Sequence, residues 1–212
     1  MENKSFEIFL NKRVLKPLRP YIERRRLIVE ELDDKVDYFK IAIRDFTFTN
    51  IYDLGHVTCS YAYNWNRNLE KKIEERSGFN FLGKRVFSGT DEEKQSLNEI
   101  DKNQSIDFPD NYFDNFVFKL KNANKENSIL EEKITFEVML DFEDSTSGIN
   151  NKYNELFNTG FKIQEVYLND SMHFAKIEAT KVSLIDIFCF GYMVTLADQR
   201  RLEKIRNLNK QN

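Results

Sequence analysis

The chain has 212 residues, 41% of them hydrophobic and 32% charged, and carries a formal net charge of −3. That length holds one proper core or two small ones, and the balance excludes a disordered chain. Seven Gly and three Pro argue against a glycine-rich phosphate-binding fold or a turn-dense sandwich, and the near-neutral charge gives no global signature for nucleic acid.

Taken in chain order, residues 5–36 read as helical, with Phe6, Phe9, Leu10, Val14 and Leu15 on one stripe. Pro17 and Pro20 interrupt it, since neither donates a backbone hydrogen bond. A second helix then starts near Pro20 and carries Ile22, Leu27, Ile28 and Leu32. The period next switches to two: Phe39, Ile41 and Ile43 share a face, and Phe46 and Phe48 continue one residue out of phase. This predicts a strand with a bulge around Arg44–Asp45. Val57, Cys59, Tyr61, Tyr63 and Trp65 also alternate, so a second strand, joined by a short link, is expected to complete a hairpin.

An amphipathic helix follows from 66 and stops at Gly78. Residues 88–111 are polar and acidic and read as a mobile loop. Strands are expected at 115–122 and 133–142, the second with Ile134, Phe136, Val138, Leu140 and Phe142 on one face. A short helix or turn ending at Gly160 precedes a hairpin formed by 161–170 and 173–182. A helix from Ser183 to Leu208 closes the chain. No internal repeat is evident. The sum is a single α+β domain over 1–212, a mostly antiparallel sheet of about six strands with helices at both termini packed on one face.

Cys59 and Cys189 stand far apart in apolar surroundings and read as buried free thiols, which points to a cytoplasmic protein. With His56 and His173 as the sole histidines, the zinc-ligand spacings are missing, and no metal or cofactor is expected. The apolar run 182–197 carries Asp186 and is too short for a membrane span.

Two constellations could carry chemistry. Asp141, Glu143 and Asp144 sit where an alternating strand runs out, as ligands of a hard divalent cation do in many nucleases. Lys12, Arg13, Lys16, Arg19, Arg24, Arg25 and Arg26 make the N-terminal segment a candidate phosphate-contacting arm for nucleic acid. Tyr61, Tyr63 and Trp65 read as core rather than as a stacking platform, and His173 beside Asp170 and Ser171 holds the letters of a triad without its arrangement. No P-loop, dinucleotide fingerprint or kinase set is present.

The stretch FKIAIRDFTFTNI at 39–51 is similar to the bulged opening strand of SecB-type export chaperones, whose antiparallel sheet is likewise followed by C-terminal helices. The similarity covers that strand and the topology, and it implies a chaperone-like module. The expected function is therefore a non-enzymatic protein-binding component with a protein partner or self-association: an adaptor, an assembly subunit or a chaperone-like module. The alternative is a metal-dependent nuclease or phosphodiesterase built on Asp141, Glu143 and Asp144.

Overall fold

The computed structural model describes residues 5–32, 38–79, 85–87, 111–125 and 127–209. Strand β1 (Ser5–Asn11) leads through a 3-10 turn (Lys12–Val14) into α1 (Leu15–Arg25), then β2 (Ile28–Glu31), β3 (Tyr38–Arg44) and the long α2 (Phe48–Arg76). A ribbon of β4 (Ser77–Phe79) and β5 (Arg85–Phe87) and helix α3 (Asn111–Ala123) come next. The chain ends with β6 (Ile134–Leu140), α4 (Glu143–Phe157), β7 (Gly160–Asn169), β8 (Met172–Thr180) and α5 (Leu184–Asn209). The fold is α+β, as expected, but the strands form two three-stranded antiparallel sheets, ordered β1-β3-β2 and β6-β8-β7, with helices near both termini packed against them.

The two sheets expose an internal duplication. Each unit runs strand, helix, strand, strand, helix, and in each the third strand lies between the other two. The inward residues correspond: Phe6, Ile8 and Leu10 on β1 match Ile134, Phe136 and Val138 on β6, all buried. Past each central strand stands a residue in the left-handed region, Asp45 at φ 52 and Lys181 at φ 54. A reciprocal cap then opens each long helix. Thr47 and Asn50 exchange backbone and side-chain bonds of 3.0 and 3.1 Å, and Ser183 and Asp186 do the same at 2.9 and 3.3 Å. Sequence comparison of the halves misses this, because the matched positions share burial and capping chemistry but few identities.

The long helices meet along the duplication axis. Their contacts climb together, from Tyr52 against Phe190 to His56 bonded to Thr195 and Tyr63 against Tyr192 and Leu196, so α2 and α5 run side by side in the same sense. One continuous core joins both sheets to this pair.

Several expected elements are corrected. Residues 5–36 are not helical throughout. Phe6, Ile8 and Leu10 alternate into the core of β1, and half-buried Phe9 on the other face had completed a false helical stripe. Helix α1 runs through Pro17 and Pro20 rather than restarting at the second. Pro17 lies in the first turn, where a missing N–H costs nothing. The chain then leaves by Arg26 at φ 52, with Leu27 N–H bonded to Ile22 O at 3.0 Å, a Schellman stop.

The expected hairpin over 38–65 has only its first strand. β3 ends at Arg44, so Phe46 and Phe48 belong to the turn and to α2, and the bulge that carried the likeness to SecB-type chaperones is absent. In α2 the buried set among the described residues is Ile51, Tyr52, Leu54, Gly55, Thr58 and Cys59, a helical spacing. Its alternating look came from treating Thr58 as polar, whereas its hydroxyl donates to Leu54 O at 2.7 Å and is buried. The expected strand at 115–122 is helix α3, which buries Val117 and Leu120 and exposes Phe118. The helix from 66 is the far half of α2, which stops at Arg76, before Gly78. Of the loop expected at 88–111, residues 88–110 lie outside the described residues, and its last residue, Asn111, begins α3. β6, the β7–β8 hairpin and α5 stand as expected.

Candidate interaction surface

The acidic trio does not converge on a metal. Asp141 is exposed just past β6, while Glu143 and Asp144 lie exposed in the first turn of α4, where acids suit the helix dipole. Arg201 Nη1 donates to Asp144 Oδ2 at 2.9 Å, and the same guanidinium covers the Phe142 ring at 4.8 Å, tying α4 to α5. Among the described residues no group of three or more His, Cys, Asp or Glu is placed to hold a metal ion.

The basic residues follow the corrected fold. Lys12 sits in the 3-10 turn and its ammonium donates to Leu32 O at 3.1 Å. Lys16 and Arg19 are exposed on α1, Arg24 and Arg25 close its last turn, and Arg25 stacks over Tyr21 at 5.8 Å. Arg26 caps that helix. The side chain of Arg13, like that of Trp65, lies outside the described residues. Tyr61 and Tyr63 are half-buried on α2. His173 is exposed on β8, and Asp170 and Ser171 are the two left-handed residues of the β7–β8 turn, a role of backbone shape.

Two carboxylates that sequence reading passed over are buried. Asp186 Oδ1 accepts from Lys121 Nζ and from Tyr153 Oη at 2.9 Å, and Oδ2 accepts from Ser183 N–H at 2.9 Å and Ser183 Oγ at 2.6 Å. The Ser-x-x-Asp spacing before an apolar run was its signal. Asp198 had none: on α5 it is buried, with Oδ1 unpartnered among the described residues. Burial first, then the charge of Asp141, pushes its pKa up to about 6 against the pull of Ser145 and Arg201. Both cysteines are buried and free, and burial raises both thiols well above their ordinary range.

The outer face of the second sheet is the distinctive surface. Register places Met139, Phe174 and Tyr167 in one cross-strand row, with Tyr167 and Phe174 stacked at 5.8 Å. Met139 is 48% exposed and Met172 46%, while Leu168, on the opposite face at the hairpin tip, is 64% exposed. The next row, Glu137, Lys176 and Glu165, is charged. Among the described residues β7 pairs with β8 alone, and the register shift between Ile163 and Glu165 confines its regular open edge to Val166–Asn169, beside the apolar row. The edges of β1, β6 and the start of β7 are engaged. Asn124 brackets Phe9, accepting its N–H at 2.8 Å and donating to its carbonyl at 3.0 Å, Asn154 brackets Phe161 likewise at 2.8 and 2.7 Å, and Thr49 Oγ1 donates to Glu137 O at 2.8 Å.

Among the described residues no helix is long and apolar enough to cross a membrane. Compared with known proteins, the chain matches no family model, no curated protein and no solved structure.

Proposed function

We propose that the chain is a non-enzymatic protein-binding component, an adaptor, assembly subunit or chaperone-like module. In this reading it takes up an extended segment of a partner protein on the second sheet. One observation carries the reading: the solvent-facing row of Met139, Phe174 and Tyr167, with Met172 on the same face at its end, runs beside the open Val166–Asn169 edge. An edge supplies unpaired backbone groups and an adjoining apolar row supplies contact area, the combination by which sheets recruit an added strand. The charged row beyond, alternating Glu137, Lys176 and Glu165, would fix the register of what binds.

The test is a quantitative pull-down from the native source with the wild type and the double variant Met139→Glu, Met172→Glu. Both side chains are exposed, so the fold tolerates the change. The reading expects a defined set of proteins recovered with the wild type and depleted about tenfold with the variant. Equal recovery with both would reject this surface.

A further inference from the structure

The duplication makes the differences between its halves informative. The cap of α2 is neutral: Thr47 with Asn50, both exposed. The matching cap of α5 is charged and buried, and Asp186 there gathers Lys121 and Tyr153, which have no counterpart at the start of α2. This second cap forms the wall of a cavity of about 440 Å³ at the meeting of α3, the α4–β7 turn and the β8–α5 turn.

The charges around that cavity do not balance. Among the described residues its lining holds Lys121, Lys125 and Lys181 against Asp186 alone. The Asp186 carboxylate is saturated, each oxygen accepting two hydrogen bonds. Lys121 is held in place by that pair and by the Phe157 ring, 4.3 Å from its ammonium, so its position is set before any ligand arrives. Lys125 and Lys181 are exposed and have no ion pair among the described residues. Lys181 is presented by a left-handed backbone, the position that Asp45 holds in the first unit, so the duplicated turn carries opposite charge in the two halves. The rest of the wall is in part apolar, with Phe157, Ile129 and Ile185.

We infer that this cavity binds a small organic anion. Its carboxylate or phosphate lies among Lys121, Lys125 and Lys181, and its apolar body lies against Phe157 and Ile129. Fixed cations beside an apolar wall recognise such a molecule better than charge alone does. The site is separate from the outer sheet face of the proposed function and does not depend on it.

The experiment is a titration of the isotope-labelled full chain, followed by amide NMR, with phenyl phosphate, benzoate and inorganic phosphate in parallel. The variant is Lys125→Gln, Lys181→Gln, which leaves Lys121 and Asp186 in place. The expected result is saturable shifts at 122–127 and 181–183 with phenyl phosphate or benzoate, about tenfold weaker binding by the variant, and weaker binding of inorganic phosphate. Absence of saturable shifts with both organic probes would overturn the inference. So would shifts unchanged in the variant, or inorganic phosphate binding as tightly as phenyl phosphate, which would mean an adventitious ion only.

Discussion

Gly55 of α2 and Gly191 of α5 sit at the same distance from their helix starts, and each faces the backbone of the other helix. A methyl group on Gly55 would lie 2.0 Å from the Phe188 carbonyl oxygen, and one on Gly191 would lie 2.3 Å from that of Tyr52. Tyr52 and Phe188 are themselves matched positions, so the contact is reciprocal. The obstructing atoms are backbone and cannot swing aside.

Gly55→Ala and Gly191→Ala should therefore each destabilise the fold, by about 1–3 kcal/mol for overpacking, despite the gain in helix propensity. Gly148 on α4 is the control, since nothing lies within 4 Å of its added carbon. Gly148→Ala should stabilise by about 0.5–1 kcal/mol. Urea unfolding of the three variants checks the pattern. Equal effects at Gly55 and Gly148 would mean the helices do not meet so closely.

Asp198 sets a pH dependence. Its carboxyl is raised from 3.8 to about 6, so the folded state holds this proton more tightly than the unfolded chain does. The burial cost is complete above pH 6 and fades as the pH falls from 6 toward 4. The group therefore disfavours the folded state at neutral pH. Asp198→Asn should raise stability at pH 7.5 and flatten the rise between pH 7.5 and 5. Denaturation curves at those two pH values measure it, and an unchanged slope in the variant would place the titration elsewhere.

Asp141 and Glu143 are exposed and unconverged, so Asp141→Asn with Glu143→Gln should alter stability by no more than about 0.5 kcal/mol. Removing Asp141 also takes away a charge that raises Asp198, which at neutral pH offsets the small loss of Glu143 from the first turn of α4. Magnesium or manganese should leave the melting temperature of the wild type unchanged. A metal-induced rise that the double variant loses would restore the nuclease alternative.

The thiols give a simple readout of core integrity. Cys59 and Cys189 are buried, and their raised pKa values remove the reactive thiolate. A thiol-titrating disulfide reagent should find neither in the native protein and both in urea. Rapid labelling of either without denaturant would mean the helix pair opens.

What could be read in advance was decided by how each segment is buried. β6 alternates cleanly because one face meets the core and the other meets water, and α5 is apolar long enough to declare itself. β1 and α2 misled because packing, rather than polarity, selects their inward residues. Phe9 is apolar on the outer face, while Thr58 and Gly55 are inward, one satisfied by its own helix and the other needed for close approach. The acidic trio was visible as letters, but its dispersal depends on α4 starting at Glu143, directly past a stretch read as strand. Met139 and Leu168 stood in the sequence too. Their exposure became legible only once the register set Met139 beside Phe174 and Tyr167 and left Leu168 at the hairpin tip.

The claim that the second sheet is the binding surface is tested most directly by amide hydrogen exchange of the full chain, alone and with the protein it captures. The account predicts slowed exchange at 165–174, where the open β7 edge and the hairpin tip lie, with little change along α1. Slowed exchange confined to the basic segment 12–26, or none at 165–174, would contradict it.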